Sequence, residues 1–333
     1  MMARLAFFAA ACLVVAAPAT SAAPLPIRIA WTTVPAQMTP VLFRAKALLV
    51  HLGRSYVVEH VHFADSAPML RALAAGEIDL VPLAPAAFGV AIENAGMEDL
   101  RIVAESYEDG VDGSYSSEFM VRRDGPIRQI EDLKGGVLAV HALGNLGEVA
   151  LRTMLARHGI EDGRDYHVVV APYPSMGAML EDGRIELAAL TAPFAQQLRL
   201  RGTARALFDR RAAIGPSIGL VEVARAEFLA RHRAALDDFF EDYLRAWRWF
   251  LDPAHRADAV AAVAGFNREP PAAFASYLFS AGDYYRDRDA RPNLALLQRN
   301  LALLGEAGMV ATNIDVRRYA DLSFIDAAAR RLR

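Results

Sequence analysis

Short apolar runs alternate with amphipathic segments along the first third of the chain. Ile27–Trp31 has the length and apolar content of a strand, and Val41–Leu52 has the apolar period of a helix that ends at Gly53. The alternation continues with predicted strands at 56–63, 79–83 and 100–105, and predicted helices at 66–75 and 85–95. An order in which strands and helices alternate predicts a mainly parallel sheet that helices cover on both faces.

The same alternation begins again near residue 119. Predicted strands lie at 119–122, 137–141, 166–171 and 185–190, and predicted helices at 146–158, 175–181 and 193–200. Beyond Gly219 the pattern becomes mostly helical, with helices expected at 228–251, 257–265, 271–279 and 293–305. The pattern therefore predicts two α/β units followed by a helical region.

The first 23 residues have the composition of an export signal. Arg4 is followed by an apolar stretch at 5–17 and by small residues at 19–23. Cys12, the single cysteine of the chain, lies in this segment, so the mature protein is expected to form no disulfide and no thiolate metal site. The remainder of the 333 residues exceeds one ordinary core and suits two domains.

Composition and charge exclude several classes of function. The chain is 54% hydrophobic and 23% charged, and its formal charge of −3 is spread along its length, so we expect a packed protein with no nucleic-acid partner. His60 and His62 share one face of a predicted strand, but two ligands without a third make a poor metal site. The sequence contains no nucleophile elbow, P-loop or zinc-protease motif, and we expect no metal, no cofactor and no catalytic residue.

Three motifs carry a resemblance to a known family. Ala72–Leu80 (ALAAGEIDL) is similar to a signature of the periplasmic solute-binding proteins for nitrate, sulfonate and taurine, a group that includes binders of the thiamine pyrimidine precursor. Ile130–Gly136 and Met179–Leu187 resemble two further motifs of that family, in the same order. In two of these, Ala72–Leu80 and Met179–Leu187, called here the helix-strand motifs, a glycine ends a helix and an acidic residue precedes a strand. This pattern favours a structural role over a ligand contact.

The resemblance implies a class II periplasmic-binding-protein fold, in which two lobes enclose a ligand cleft and the chain crosses twice between them. Mapped onto this sequence, residues 24–116 and 217–333 form lobe I with the C-terminal helices, and residues 117–216 form lobe II. The crossings are expected near 116–119 and 216–220, where serine and glycine suit a hinge.

Candidate ligand contacts follow from the strand order, because open parallel sheets bind ligands at the carboxyl ends of their strands. The candidates in lobe I and the first crossing are Thr32, Thr33, Gln37, Ser66, Ala84, Pro85, Tyr115 and Ser116. The candidates in lobe II are His141, Gly144, Asn145, Leu146, Tyr173, Ser175, Thr191 and Phe194.

The segment 140–147 allows two interpretations. Free amides at the start of the helix that follows Gly144 could hold a carboxylate or sulfonate, or the glycines could serve only a tight turn. Ser66 and Ser175 could likewise cap helices or contact ligand. Lysine and arginine are absent from the predicted strand ends, which favours a neutral or singly charged organic ligand with an apolar part, stacked on Tyr115, Tyr173 or Phe194.

The family resemblance implies an exported, monomeric binding protein that delivers a small organic ligand, such as a sulfonate or an aromatic or other carboxylate, to an ATP-binding-cassette permease and its ATPase. Two alternatives stay open: an exported enzyme on the same fold, and a module that presents ligand to a membrane receptor.

Overall fold

The computed structural model describes residues 23–64, 66–94 and 96–333. The predicted signal segment, apart from Ala23, lies outside the described residues. Every helix in the described ranges is too short or too polar to cross a membrane.

A first five-stranded sheet has the order β2-β1-β3-β10-β4. Its strands are β1 (Leu25–Trp31), β2 (Tyr56–His62), β3 (Leu80–Leu83), β4 (Leu100–Asp109) and β10 (Ser217–Arg225). β1 pairs in parallel with β2 and β3, whereas β10 runs antiparallel to β3 and β4. Four strands therefore share one direction, and the reversed strand comes from a distant part of the chain.

A second five-stranded sheet repeats this plan with the order β7-β6-β8-β5-β9. Its strands are β5 (Glu118–Arg122), β6 (Val137–Val140), β7 (His167–Val170), β8 (Leu187–Leu190) and β9 (Ala204–Asp209). β6 pairs in parallel with β7 and β8, and β5 runs antiparallel to β8 and β9. The two-sheet α/β architecture and the mainly parallel strand direction in each sheet agree with the prediction.

Helices follow most strands and then dominate the C-terminal region. The α-helices are α1 (Thr39–Leu42), α2 (Ser66–Ala74), α3 (Pro85–Asn94), α4 (Leu146–Arg157), α5 (Tyr173–Glu181), α6 (Phe194–Arg201), α7 (Arg210–Ile214), α8 (Ala226–Arg231), α9 (Arg233–Leu251), α10 (Arg256–Asn267), α11 (Ala272–Ala275), α12 (Leu294–Glu306) and α13 (Ser323–Arg331). Short 3₁₀ helices lie at Lys46–Leu48, Ile130–Leu133, Pro253–His255 and Val316–Tyr319.

The helix-strand motifs have matching structural roles in the two sheets. After α2, Gly76 has φ +70°, and the Glu77 amide donates to the Ala72 carbonyl at 2.9 Å. Asp79 then joins β3 to β1, because its carboxylate accepts from the Arg28 amide and guanidinium at 2.8 and 2.6 Å.

In the second sheet Glu186 occupies the corresponding position. Its carboxylate accepts from the Val137 amide at 2.6 Å, and its own amide donates to the Val137 carbonyl at 2.9 Å. Gly183 ends the preceding helix with φ +70°. The acidic residue of each motif thus fixes a neighbouring strand, as the structural interpretation of these motifs predicts.

The aromatic residues of α9 belong to one large apolar core. Phe239, Phe240, Tyr243, Trp247 and Phe250 are all buried. Phe239 stacks on a phenylalanine of the N-terminal region with ring centroids 5.0 Å apart. Helix α9 of the C-terminal region therefore packs against the N-terminal region.

Several predicted elements are wrong in extent or missing. The predicted helix 41–52 is instead the short α1 and a 3₁₀ turn, and the predicted helix 271–279 shrinks to α11. The predicted helix 228–251 is two helices with a break at His232. The sequence pattern does not predict strands β9 and β10. They form because each pairs with a strand that is distant in sequence, and not because of a strong local pattern.

Candidate functional site

The carboxyl end of the second sheet surrounds a small cleft with a cavity volume of about 20 Å³. Because β5 is reversed, its first residues lie at the same edge as the last residues of its neighbours. The lining residues are Ser117, Glu118, Phe119, Val140, His141, Asn145, Gly147, Tyr173, Ala189, Leu190, Thr191 and Arg210. The cavity therefore lies at the edge where parallel sheets usually bind their ligands.

Arg210 brings a positive charge into this cleft. It directly follows β9, and its side chain is only 13% exposed. One guanidinium nitrogen, Nη1, lies 3.2 Å from the Asp109 carboxylate, while Nε has no hydrogen-bond partner among the described residues. Burial lowers the pKa of Arg210, but the Asp109 carboxylate and nearby tyrosines outweigh it and raise that pKa, so the guanidinium stays charged.

Asp109 connects the end of β4 to both segments that pass between the sheets. Its carboxylate accepts from the Ser116 hydroxyl at 2.8 Å and from the Ser117 hydroxyl and amide at 2.5 and 3.1 Å. The Arg211 amide donates to the Ser116 hydroxyl oxygen at 3.0 Å, and the Arg210 amide donates to the Ser117 carbonyl at 2.8 Å. One buried carboxylate thus holds the two connections together beside the cleft.

Stacked rings form one wall of the cleft. His141 and Tyr173 stack with centroids 4.1 Å apart and planes 13° apart, and Phe194 also stacks on Tyr173, with centroids 5.5 Å apart. The Tyr173 side chain also hydrogen-bonds to Thr191. The residues that end three neighbouring strands thus build an aromatic surface with polar groups at its margin.

A second aromatic group comes from the first sheet and the C-terminal region. Tyr284 packs on Tyr107 at 4.3 Å and on Tyr115 at 5.1 Å. The Tyr284 hydroxyl lies 3.0 Å from the Ser117 hydroxyl and accepts from the Ala192 amide at 3.2 Å. Tyr284 therefore joins the C-terminal region to the second sheet at the edge of the cleft.

Glu118 supplies the opposite charge. It begins β5 and is 4% exposed. One carboxylate oxygen pairs with the Arg199 guanidinium, and the other, Oε2, has no hydrogen-bond partner in the described part of the chain. Burial raises the pKa of Glu118 to about 7, although the charge of Arg199 opposes the rise.

The start of α4 is a capped helix. The Asn145 side chain accepts from the amides of Gly147 and Glu148 at 2.8 and 3.1 Å, and the Glu148 carboxylate accepts from the Gly144 amide at 2.6 Å. Three of the amides that an anion would need are thus already bonded, which is the arrangement of a helix cap. The structure favours the tight-turn interpretation of this segment over the anion site.

Four of the predicted site residues line the cleft, namely His141, Asn145, Tyr173 and Thr191. Phe194 stacks on Tyr173 of the lining, Ser116 donates to Asp109, which pairs with Arg210 of the lining, and Tyr115 packs on Tyr284. The strand-end rule therefore located one wall of the cavity.

The other predicted site residues do not line this cavity. They are Thr32, Thr33, Gln37, Ser66, Ala84, Pro85, Gly144, Leu146 and Ser175. The Gln37 side chain accepts from the Thr32 amide at 2.6 Å and so serves its own loop. Leu146 is buried in an apolar cluster with Leu297 of α12, and Ser175 lies exposed inside α5, whose N-cap is Pro172.

The sequence pattern did not indicate Glu118 and Arg210 in the cleft, or Tyr284 beside it, whereas Ser117 belongs to the crossing that the strand order does indicate. The expectation that the pocket lacks arginine is wrong, because Arg210 follows a strand that was not predicted. An aspartate that caps a helix directly after an apolar run, as Asp209 does before Arg210, was the available local signal.

One group of side chains has metal-ligand types. His51, Asp238 and Glu241 place ligand atoms within 4.8 Å of one another. The Arg331 guanidinium contacts both carboxylates at 3.2 Å, and Arg245 pairs with Glu241 at 2.5 Å. Arginine already neutralises these acids, so the group is an ion-pair network.

The histidines of β2 also have packing partners. His62 contacts the Trp31 ring at a centroid distance of 4.5 Å, and His60 lies beside Phe43 at 6.1 Å. Burial, with a smaller effect of the nearby Arg44 charge, lowers the pKa of His60 to about 4. Both histidine rings therefore have aromatic packing partners.

Solved structures with the same architecture include proteins that bind small anions. The periplasmic aliphatic sulphonate binding protein SsuA from Escherichia coli matches with a TM-score of 0.69 and 22% identity over 91% of this chain and 99% of its own. The periplasmic nitrate-binding protein NrtA from Synechocystis PCC 6803 matches with a TM-score of 0.73 and 15% identity over 93% and 89%. The desulfurization enzyme DSZB matches with a TM-score of 0.67 and 15% identity over 93% and 100%.

At these identities the likeness shows the fold, which is the two-lobed fold of periplasmic binding proteins. No curated protein sequence matches the chain. The model of the NMT1-like family matches residues 20–264, which is most of the chain, and this protein therefore belongs to the NMT1-like family.

Proposed function

We propose that this protein is the solute-binding component of an ATP-binding-cassette importer and that it captures a small organic anion in the cleft beside Arg210. The observation that carries the proposal is a buried guanidinium with an unpaired Nε in a cavity walled by stacked rings. A charged donor in a poorly hydrated site binds carboxylate or sulfonate strongly, and the His141–Tyr173–Phe194 surface suits an apolar or aromatic part.

Folds with the same architecture support this assignment. SsuA and NrtA are binding proteins for a sulphonate and for nitrate, and both are periplasmic. By analogy, the chain is exported to the periplasm, acts as a monomer and delivers its ligand to a permease and its ATPase. The proposed lobes are residues 24–116 with 217–333 and residues 117–216, and the Asp109 connections form the hinge between them.

Binding without chemistry is the proposed activity. DSZB is an enzyme on the same fold, so the distinction needs a direct measurement. After prolonged incubation of a bound compound with the purified protein, we expect nuclear magnetic resonance to recover that compound unchanged. Conversion of the compound at a rate that depends on protein concentration would instead establish an enzyme.

A ligand screen with matched variants tests the anion site. The mature protein is screened by thermal shift against sulfonates and carboxylates with alkyl and aromatic parts, and isothermal titration calorimetry then measures the dissociation constant of each hit. We expect micromolar affinity, which corresponds to about 8 kcal/mol and allows release.

Arg210→Gln is the test variant, and Arg211→Gln is its control because Arg211 is 45% exposed and pairs with the exposed Asp112. We expect Arg210→Gln to weaken anion binding about 10- to 100-fold, the effect of losing a charge-assisted hydrogen bond. Arg211→Gln should bind as the wild type does. Equal affinity in all three proteins would refute Arg210 as the anion-binding residue.

A further inference from the structure

A second and larger cavity lies outside the cleft beside Arg210. Its volume is about 580 Å³, against about 20 Å³ for that cleft. A volume of about 20 Å³ holds one water molecule, whereas drug-sized ligands occupy cavities of about 300 to 1,000 Å³. The larger cavity therefore already has the volume that an organic ligand needs.

Three separate segments form this cavity. Residues within 248–253 belong to the last turn of α9 and the chain after it, and residues within 279–288 belong to the loop between α11 and α12. Ser114 comes from the loop before the first crossing. Among the described residues, the linings of the two cavities have no member in common. The larger cavity is thus a separate place on the molecule.

Leu251, Phe279 and Tyr285 give this cavity an apolar wall. Leu251 and Phe279 are partly buried and pack on the core, whereas Tyr285 is 37% exposed. Phe279 has φ +53°, a left-handed conformation that is strained for a side chain with Cβ, and its amide donates to the Asp283 carboxylate at 3.1 Å. Strained residues of this kind concentrate at ligand sites. An exposed aromatic ring beside two apolar side chains suits a flat or extended apolar group.

The charged side chains of the lining leave one cation free. The lining contains three arginines and two aspartates, so its net charge is +1. Arg248 pairs with Asp289 at 2.8 Å, Arg286 donates to two backbone carbonyls at 3.1 and 3.4 Å, and both aspartates accept from backbone amides. Arg288 is exposed, and its guanidinium has no hydrogen-bond or ion-pair partner in the described part of the chain. The lining therefore favours a ligand with one negative charge.

We propose that the larger cavity is a second ligand site, which binds a monoanion with a large apolar or aromatic body. The anionic group pairs with Arg288, and the body lies against Leu251, Phe279 and Tyr285. Such a ligand is too large for the cleft beside Arg210 as that cleft stands in this structure. The inference goes beyond the proposed function and does not depend on it, because the two cavities differ in lining and in size.

Two fluorescent probes, 1-pyrenebutyrate and 1-pyrenebutanol, test this inference on the mature protein. They share one apolar body, and the chain ends in a carboxylate in the first and in a hydroxyl in the second. Trp247 and Trp249 lie on α9 beside Arg248, so energy transfer from tryptophan to pyrene measures binding near the cavity. At low ionic strength we expect the carboxylate to bind about threefold to fivefold more tightly than the alcohol, the effect of one exposed ion pair. High salt should reduce this difference.

The variant Arg288→Gln should lower the affinity for 1-pyrenebutyrate to that for the alcohol. Arg318→Gln is the matched control, because Arg318 is also exposed and has no ion-pair partner among the described residues, but does not line the cavity. We expect this control to keep the wild-type preference for the carboxylate.

A bulky side chain in the cavity tests the location of the site. Ala281 is exposed and lines the cavity, so Ala281→Phe should weaken the binding of both probes about 10-fold or more, because the new ring occupies the space of the apolar body. Ala262→Phe is the control, since Ala262 is exposed on α10 and lies outside the lining. Circular dichroism spectra of all four variants establish that they are folded.

Three outcomes would overturn the inference. Absence of energy transfer to either probe, or an unchanged affinity in Ala281→Phe, refutes the site. Equal affinity of the wild type for both probes, or the same loss in Arg318→Gln as in Arg288→Gln, refutes the recognition of a monoanion by Arg288. Displacement of 1-pyrenebutyrate by a small anion that binds beside Arg210 places the probe in that cleft, which refutes the second site and leaves the proposed function standing.

Discussion

Glu222 offers a quantitative test of how this fold buries charge. It lies in the middle of β10, 1% exposed, and one carboxylate oxygen accepts from the Ser106 hydroxyl at 2.8 Å. The other oxygen has no partner among the described residues. Burial raises the pKa of Glu222 from 4.5 to about 7, although the Ser106 hydrogen bond opposes the rise.

The sign of the pH effect follows from proton binding. Between pH 4.5 and pH 7 the folded protein holds a proton on Glu222 that the unfolded chain has released, so the free energy of unfolding falls as pH rises. The shift in pKa corresponds to a loss of about 3 kcal/mol, complete above pH 7. Below pH 4.5 the stabilisation is fully present.

Glu222→Gln removes this titration. The amide stays neutral at every pH and keeps the acceptor for Ser106, but it leaves an unpaired N–H that costs about 1 kcal/mol. We therefore expect the variant to be about 1 kcal/mol less stable than the wild type at pH 4 and about 2 kcal/mol more stable at pH 8.5.

Urea titrations of both proteins at several pH values, followed by tryptophan fluorescence, measure the difference. Trp31 reports on the same sheet, since β1 and β10 both belong to it. Other buried acids titrate equally in the two proteins and cancel in the difference. Glu227→Gln serves as control, because that carboxylate is 74% exposed. A difference between Glu222→Gln and the wild type that stays constant with pH would refute the reasoning.

Three further substitutions test the architecture of the cleft. In Gly219→Ala the new Cβ would lie 2.1 Å from the Tyr107 ring, so the ring must move. We expect the free energy of unfolding, measured in urea, to fall by about 2 kcal/mol and ligand binding to weaken. Unchanged stability and binding would contradict this packing. Asp109→Asn should lower the free energy of unfolding by about 3 kcal/mol, because it leaves a buried guanidinium without its counter-charge. The control Asp112→Asn, at a side chain that is 96% exposed, should cause no measurable change in stability. Asn145→Ala should lower the free energy of unfolding by about 1 kcal/mol, because the helix cap is lost. We expect calorimetry to show an anion affinity that is unchanged or improved. A fall in affinity would indicate a direct ligand contact.

The proposed site combines the β4–β5 region of the sequence with the residue that follows β9. Asp109 ends β4, Glu118 begins β5, and Arg210 follows β9. Tyr284 then closes the edge of the cleft from the C-terminal region, with its hydroxyl bonded to an amide 92 residues away. Asp109 of the first sheet therefore contacts Arg210 of the cleft, whose lining residues all lie between positions 117 and 210.

The local sequence pattern alone predicted the fold class and the residues that form one wall of the proposed site. Alternating strands and helices predict the mainly parallel sheets, because each short strand needs apolar cover that the next helix supplies. The glycine and acidic residue of each motif predict the helix end and strand start, as at Gly76 and Asp79. The strand-end rule found His141, Tyr173 and Thr191, because parallel strands place their carboxyl ends at one edge.

Only the tertiary structure decided the charges of the site. β9 and β10 become strands through pairing with partners far away in sequence, so neither the position of Arg210 nor the reversed β5 with Glu118 follows from local periodicity. Whether a charged side chain lies in water or in a cleft depends on what packs around it. For Arg210 those neighbours are Asp109, Tyr173 and Tyr284, which the chain assembles only when both sheets have formed.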